Sequence, residues 1–318
     1  MRPVNGDPPK IEILAPFGAA FEWMKAMLFR PFDPGRWLTI AFAALLAGNW
    51  GSGMNFQWNG SGGDWNYHFQ RNGDLSNWTI SSWLIALIVI GVLLAIALGF
   101  VWIWISSRGE FIFTDCVVRN RAAIAEPWRE YRREGNSLFL FSLAIDFALL
   151  MLTAILVFTL VVVSKLLSNY QGSTIAIVSG WIISGFLWIV ALLFITLVSH
   201  FMVPVMYRRR CRAWEAFVDV TGLMFRNPAP FILFVLFGIA LAIAVGVVGT
   251  VVTCATCCVG GLPYISTVLL LPAIVWLGAY KLLFLRQFGD QYDAWASAGL
   301  SLPATQPPPP LPPGTPAG

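Results

Sequence analysis

The sequence predicts an all-α membrane protein with six transmembrane helices, arranged as three pseudo-repeats of a cytoplasmic interfacial helix followed by a helical hairpin. Two observations predict this fold class. The residues AVILMFWYC make up 58% of the 318 residues and charged residues only 11%, whereas soluble domains carry about 25% charged residues. In addition, residues 75–107, 166–207 and 227–280 contain no Asp, Glu, Lys or Arg. Uncharged apolar runs of about 20 residues match the roughly 30 Å bilayer core that a helix must cross.

The apolar segments place the six predicted spans at about Trp37–Phe56, Thr79–Ile105, Ser137–Ser164, Ile175–Met206, Pro230–Thr253 and Leu262–Tyr280. The first span is the weakest, because its dense apolar part ends at Ala47 and Gly48 and Asn49 follow. A re-entrant loop is the alternative for this segment. It is disfavoured by charge, because five crossings would put alternate loops on the wrong sides of the membrane.

The basic residues predict the orientation. Eighteen of the twenty Lys and Arg residues lie on one side of the six predicted spans, and only Arg71 and Lys165 lie on the other. Short loops rich in Lys and Arg remain cytoplasmic. We therefore expect a multi-pass protein of the cell (inner) membrane with both termini in the cytoplasm.

An internal repeat is visible in the order of these segments. Predicted spans begin near residues 37, 137 and 230, and each follows a short amphipathic segment near residues 16–30, 113–132 or 212–226. This spacing favours triplication into pseudo-repeats of about 15–106, 107–207 and 208–290. Residues 1–300 are then a single six-span membrane domain. Residues 301–318 are rich in proline, which predicts a disordered tail.

Several short motifs carry a resemblance. They are Leu28-Phe29-Arg30-Pro31-Phe32, Glu126-Pro127-Trp128, and the stretch from Cys257-Cys258 through Pro263-Tyr264 to Gln287-Phe288-Gly289. With these motifs the chain resembles an uncharacterised family of prokaryotic six-helix integral membrane proteins. The layout of interfacial helix and hairpin also looks like the membrane domain fused to some glycerophosphodiester phosphodiesterases. The catalytic barrel and its acidic metal ligands are absent from this sequence, so the resemblance implies a fold and no activity.

Asp146 is the intramembrane polar candidate. It is the only acidic residue inside a predicted span and lies nine residues past Ser137, hence about 13 Å along a helix. A charged group at that depth is costly and usually pairs, protonates or lines a polar path. One hypothesis is a proton-linked or polar substrate site. The alternative is a protonated carboxyl that hydrogen-bonds Ser142, Thr153 or a hydroxyl of another span.

Four further groups have more ordinary interpretations. Cys254, Cys257 and Cys258 fit close helix packing or a disulfide, and a metal site would need more ligands than the sequence places nearby. Asn49–Asn77, rich in Trp, fits either an aromatic membrane anchor or a loop that binds sugars or lipid headgroups. His200 lacks a partnering nucleophile and is interpreted as a helix-end residue. The juxtamembrane arginines are expected to contact anionic lipid: Arg208, Arg209, Arg210 and Arg212.

No catalytic residue set, cofactor motif or metal motif is present in the sequence, which favours a non-catalytic protein without a cofactor. No Lys/Arg stripe interleaves with stacking aromatics, so a nucleic acid is not expected as partner. The expected partners are the bilayer, its anionic lipids and a protein at the cytoplasmic face. The first functional hypothesis is therefore a lipid- or partner-binding scaffold. The alternative is a small-solute or lipid transporter that uses Asp146, and a polar cavity reaching Asp146 from several spans would favour it.

Overall fold

The computed structural model describes residues 12–48, 82–167, 173–256 and 262–298. These residues form α-helices, short 3-10 turns and connecting loops, with no strand among them. The helices are α1 Leu14–Phe29, α2 Pro34–Leu46, α3 Ser82–Arg119, α4 Ala125–Glu130, α5 Arg132–Leu167, α6 Ser173–Arg209, α7 Ala213–Arg226, α8 Pro228–Ala255, α9 Pro263–Leu269 and α10 Leu271–Arg286. The predicted all-α fold class is confirmed for this part of the chain.

Four described helices, α3, α5, α6 and α8, are long and apolar enough to cross a membrane, which indicates a membrane protein. They contain most of the second to fifth predicted spans. The helices are longer than those spans: α3 has 38 residues, hence about 57 Å at 1.5 Å per residue, and continues 14 residues beyond the predicted end at Ile105 to Arg119.

The first and sixth predicted spans differ from the prediction. Helix α2 has 13 residues, about 20 Å, and is followed by Gly48 at a φ of +80°, a conformation that commonly terminates helices. The rest of the first span lies outside the described residues. The sixth span is interrupted at Leu270, which separates α9 from α10. The six-helix architecture is therefore not confirmed.

The interruption at Leu270 has a local cause. Pro272 has no backbone N–H, so the carbonyl of Val268 loses the donor it would have in a continuous helix. The indole Nε1–H of Trp37 on α2 donates to that carbonyl oxygen at 3.0 Å. A side chain from α2 thereby replaces the missing helical hydrogen bond and ties α2 to the broken helix.

The repeat prediction requires a separate short helix at three segments, and the structure has one at two of them. Helices α1 and α7 occupy the segments near residues 16–30 and 212–226. The middle segment, 113–132, is not a separate interfacial helix, because α3 runs on through Arg119 and only the six-residue α4 follows the loop. The pseudo-repeat is thus not confirmed.

Helix α1 packs on α10 through a buried stripe that includes Met24 and Leu28.

Packing is concentrated at one end of the long helices. We call this end of the long helices the basic end, because α3 and α6 end there at Arg119 and Arg209 and α5 begins there at Arg132. Buried hydrophobic residues lie mainly in 111–118 of α3, in 198–207 of α6, and at Leu270 and along α10 to Leu285. Toward the opposite, distal end, the most apolar windows of α3 and α5 have no buried residue among the described parts. Exposed apolar side chains along such lengths are what a lipid-facing helix presents.

Candidate functional site

A polar cleft lies between α3, α5 and α6, just distal to the packed core. Its volume is about 410 Å³. On α5 its lining extends from Leu138 to Leu149, which corresponds to roughly 16 Å along the helix axis. All three helices contribute hydroxyl groups to the lining, and these are Ser106, Ser107, Ser142, Thr196 and Ser199. The cleft is open along one side in the described part of the chain, since Thr196 and Asp146 are exposed.

The hydroxyl groups of the cleft differ in whether they form a hydrogen bond to the described residues. Ser107 Oγ donates to the carbonyl of Ile103 one turn earlier, at 2.8 Å. Ser142, Thr196 and Ser199 form no hydrogen bond within the described residues. A hydroxyl in an apolar surrounding is costly without a partner. These three side chains are therefore available to a polar molecule in the cleft.

Asp146 lines the same cleft. Neither of the partners considered for a structural role is bonded to its carboxyl: Thr153 donates to the carbonyl of Leu149 instead, at 2.6 Å, and Ser142 forms no hydrogen bond in the described part. Asp146 itself has no hydrogen bond or ion pair to the described residues and is exposed toward the cleft. Its position matches a carboxyl that meets a ligand or water rather than one that ties helices together.

A second carboxyl, Glu110, also lines the cleft, nearer the basic end. Sequence reasoning missed it because the predicted second span ends at Ile105, which assigns Glu110 to a cytoplasmic segment. The absence of a proline between Ile105 and Arg119 was the signal that the helix could continue. Lys281 on α10 acts electrostatically on Glu110 and on His200. A second acid, outside the predicted second span, therefore lines the same cleft as Asp146.

His200 belongs to the cleft as well, rather than to a helix end. It is exposed, lies in the middle of the half of α6 nearer the basic end, and has no hydrogen bond within the described residues. Four residues later, Pro204 removes the backbone amide that would bond the carbonyl of His200. This turn of α6 therefore presents an imidazole together with a carbonyl that lacks its intrahelical donor.

The charge of the lining favours one class of ligand. The cleft is lined by two carboxyl groups, one imidazole and the hydroxyls, and by no Lys or Arg among the described residues. Carboxylates and hydroxyl oxygens accept hydrogen bonds from ammonium and hydroxyl donors. The remaining lining residues are apolar, including Trp102, Phe141 and Leu192. The arrangement suits a small polar molecule that is neutral or cationic.

A buried ionic cluster holds the basic ends of these helices in place. Asp115 on α3 has no exposed surface. Its carboxylate accepts from Arg121 Nε at 2.9 Å, from Tyr207 Oη at 3.0 Å, and pairs with Arg119 at 3.2 Å. Buried charges are tolerated when paired and hydrogen-bonded in this way. The cluster fixes α3 against α6 directly below the cleft.

Aromatic stacking extends this cluster to α4 and α5. The ring of Tyr131 stacks between Tyr207, with centroids 5.0 Å apart, and Phe111, at 5.7 Å. Burial raises the pKa of the Tyr131 phenol. The guanidinium of Arg210 lies 3.9 Å from the Tyr131 ring centroid and pairs with Glu130. Carboxylates of the arginine-rich segments thus pair mainly within the protein.

The four arginines that were predicted to contact lipid fall into two groups, those with an ion pair and those without one among the described residues. Arg209 pairs with Asp219, and Arg210 pairs with Glu130. Arg208 and Arg212 form no ion pair within the described residues. Arg208 is half-buried and Arg212 is exposed. Two of the four predicted contacts therefore have protein partners already.

Arg108 is a buried cation held by aromatic rings at the basic end. Its guanidinium lies 4.3 Å from the Trp104 ring centroid and 5.2 Å from that of Trp128. It donates to Asn136 Oδ1 at 2.7 Å and pairs with no carboxylate in the described part. The stacking keeps α3, α4 and α5 in register beside the cleft.

The cysteine group can be placed only in part. Cys254 is exposed and has a free thiol near the end of α8. Cys257, Cys258, the segment Asn49–Asn77 and the proline-rich tail lie outside the described residues, so the predictions on them stay predictions. Among the described residues no group of three or more His, Cys, Asp or Glu is placed to hold a metal ion.

Comparison with known proteins gives one match. The profile of a family of unknown function (DUF7544) matches residues 12–289. No curated protein and no solved structure matches the chain. The match covers α1 to α10, and therefore includes every helix that lines the cleft and the ionic cluster beneath it.

Proposed function

We propose that this chain, which belongs to the family of unknown function (DUF7544), is a membrane transporter for a small polar solute or a lipid headgroup, bound in the cleft between α3, α5 and α6. The ligand class is neutral to cationic, with hydrogen-bond donors. Asp146 and Glu110 are the charged contacts, and the free hydroxyls of Ser142, Thr196 and Ser199 supply further acceptors.

One observation carries the proposal. A cavity that reaches Asp146 and is lined by hydroxyls from three helices is unusual for a purely structural bundle, because each unpaired polar group at membrane depth costs free energy. Ionisable residues in membrane helices generally mark substrate or ion pathways. The lack of any protein partner for Asp146 within the described residues supports a ligand as the reason for its presence.

The proposal includes the orientation. The basic end lies in the cytoplasm of a cell (inner) membrane that the chain crosses six times, with both termini inside, because the basic residues concentrate at that end. The cleft then lies within the membrane just beyond the inner interface. The proposed site binds its ligand without catalysing a reaction. The likeness to the membrane domain of some phosphodiesterases stays a prediction.

A second candidate function rests on α7. One face of α7 is buried through Ala216 and Val220, while Trp214, Val218 and Phe225 form an exposed apolar stripe on the other. The stripe follows i, i+4, i+11 spacing, which favours a helix lying in a membrane interface. This surface, with Arg212 beside it, supports a scaffold that binds anionic lipids or a protein partner at the cytoplasmic face.

The test of the transporter proposal uses the purified full chain and three small probes. Ethanolammonium carries a cation and a hydroxyl, glycerol is a neutral polyol, and acetate is an anion. We expect ethanolammonium to raise the Tm and acetate to leave it unchanged. Asp146→Asn should weaken the ethanolammonium response at least tenfold, whereas Ser164→Ala, on the same helix outside the cleft, should leave it as in the wild type.

An uptake assay distinguishes transport of the ligand from binding alone. Proteoliposomes that contain the full chain should accumulate radiolabelled ethanolamine when preloaded with the unlabelled compound, and the Asp146→Asn protein should not. If none of the three probes shifts the Tm, or if Asp146→Asn responds like the wild type, the cleft is not the ligand site, and the scaffold candidate is preferred.

A further inference from the structure

A second, smaller pocket lies at the basic end, where α5 begins and α6 passes into α7. Its volume is about 140 Å³, room for four or five waters at about 30 Å³ each. Three groups of residues line it: Arg133, Glu134 and Ser137 of α5, Arg210, Cys211 and Arg212 of the connection, and Glu215 of α7. It shares no residue with the cleft.

Among the described residues, one long contact joins opposite charges that line this pocket: Arg210 Nη1 lies 3.8 Å from Glu134 Oε1. Arg210 pairs with Glu130, outside the pocket. Arg133 and Arg212 form no ion pair within the described residues, and neither does Glu215. Three arginines and two glutamates thus face one small space, and Arg133, Arg212 and Glu215 are not paired there with a described residue.

Glu134 gives an independent sign of a missing partner. Its side chain is 10% exposed, and its closest cation is Arg210, whose Nη1 lies 3.8 Å from Oε1. The other oxygen, Oε2, is buried and has no hydrogen-bond partner among the described residues. A buried carboxylate oxygen that accepts no hydrogen bond lowers the stability of the folded state. Glu134 lines the pocket, so a donor placed there would satisfy it.

The N-terminus of α7 attracts the opposite charge, an anionic group. Arg212, the residue that precedes the helix, provides no side-chain cap, and the first amide, Ala213 N, donates to Ser137 Oγ at 3.0 Å. The next two amides, of Trp214 and Glu215, have no helical acceptor. The N-terminus of a 14-residue helix with Arg133 and Arg212 beside it attracts an anionic group.

We propose that this pocket binds a zwitterion, with an ammonium group on Glu134 and a phosphate or carboxylate group between Arg133, Arg212 and the N-terminus of α7. The pocket lies next to Ser137, the predicted boundary of the third span. A phosphoethanolamine headgroup of the inner leaflet and a free zwitterionic solute share this chemistry. A purely anionic lipid does not, because it would leave Glu134 unsatisfied beside a negative charge.

The first arm of the test uses soluble probes on the full chain in phosphatidylcholine nanodiscs. O-phosphoethanolamine carries both charges, inorganic phosphate only the anion, and ethanolamine only the cation. By isothermal titration we expect O-phosphoethanolamine to bind at least tenfold more tightly than either single-charge probe. Glu134→Gln should reduce its affinity to the level of inorganic phosphate, and Arg212→Gln should weaken both phosphate probes.

The second arm separates the two sources. Native mass spectrometry of the chain from mixed nanodiscs should show phosphatidylethanolamine retained over phosphatidylglycerol if the ligand is a headgroup, and no such preference if only the free solute binds. Binding in either arm supports the zwitterion site. Arg129→Gln is the matched control, because Arg129 is an exposed arginine of α4 outside the pocket.

Three results would overturn the proposal. They are equal affinity for inorganic phosphate and O-phosphoethanolamine, wild-type binding by Glu134→Gln, and no binding in both arms. If Glu134→Gln does not fold, Glu215→Gln replaces it. Glu215 is exposed, so that variant should fold. It removes the other carboxylate charge that lines the pocket, so it should still weaken O-phosphoethanolamine binding more than inorganic phosphate binding.

Discussion

Replacing Gly109 by alanine is expected to separate α2 from α3. A Cβ at position 109 would lie 2.3 Å from the carbonyl carbon of Leu46, 2.4 Å from its oxygen and 2.6 Å from the amide nitrogen of Ala47. Ordinary contact begins at 3.4 Å, so the two helices would have to separate by about 1.1 Å, the difference between 3.4 and 2.3 Å. The obstructing atoms are backbone, which cannot rotate away.

The magnitude follows from two opposing terms. Alanine favours a helix over glycine by about 1 kcal/mol, and overpacking costs about 1–3 kcal/mol or more. Because the obstructing atoms are backbone, we expect the upper part of that range and a net loss of about 2 kcal/mol in the free energy of unfolding. At Gly99, on the same helix, an added methyl group would have no atom within 4 Å. Gly99→Ala should therefore be neutral or stabilising.

Thermal unfolding followed by tryptophan fluorescence, in one detergent for all variants, measures this difference. For a chain of 318 residues, with about 2.1 cal/mol/K of unfolding entropy per residue, about 2 kcal/mol corresponds to a decrease in Tm of roughly 3 °C. Gly109→Ala should show that decrease, and Gly99→Ala should not. If both variants unfold at the same temperature, α2 does not pack against the backbone of α3 at Gly109.

Three further predictions concern single hydrogen-bonding groups, each measured by the same thermal assay. Trp37→Phe should lower stability by about 1–3 kcal/mol, because the carbonyl of Val268 loses its replacement donor; an unchanged Tm would contradict this role. Asp115→Asn should lower stability by about 3 kcal/mol, since the half-buried Arg119 and Arg121 lose the charge of their buried partner. Tyr207→Phe should cost less, and the reverse order would refute the charge balance of the cluster. Asp146→Leu should fold at least as stably as the wild type and Asp146→Asn likewise, because the carboxyl has no partner in the described part; a marked loss in either would show a structural role.

The hydrophobic pattern is sufficient to predict the long helices but not their limits. The predicted end of the second span at Ile105 rests on charge, since Arg108 is the first charged residue after the apolar run. Helix α3 nevertheless continues to Arg119, because no proline interrupts it and the rings of Trp104 and Trp128 accommodate Arg108. This extension takes the place of the middle interfacial helix of the predicted repeat.

One residue of the candidate site, Asp146, could be predicted from the sequence, but the residues around it could not. Asp146 stands out in the sequence because an acid is rare in an apolar run. Glu110 and His200 join it only because three helices meet, and their separation in sequence gives no sign of that meeting. Likewise, the bond between Asp115 and Tyr207 joins residues 92 positions apart, which hydropathy and charge patterns do not encode.

The access of water to the cleft is the most direct test of the central claim. In a variant with the five native cysteines replaced, Ser142→Cys reports on the cleft and Leu150→Cys on the exposed apolar side of the same helix. A membrane-impermeant thiol reagent in proteoliposomes should modify Ser142→Cys at least tenfold faster than Leu150→Cys, and ethanolammonium should slow that reaction. Equal and slow labelling at both positions would mean that the cleft is closed to water, and would contradict a ligand site at Asp146.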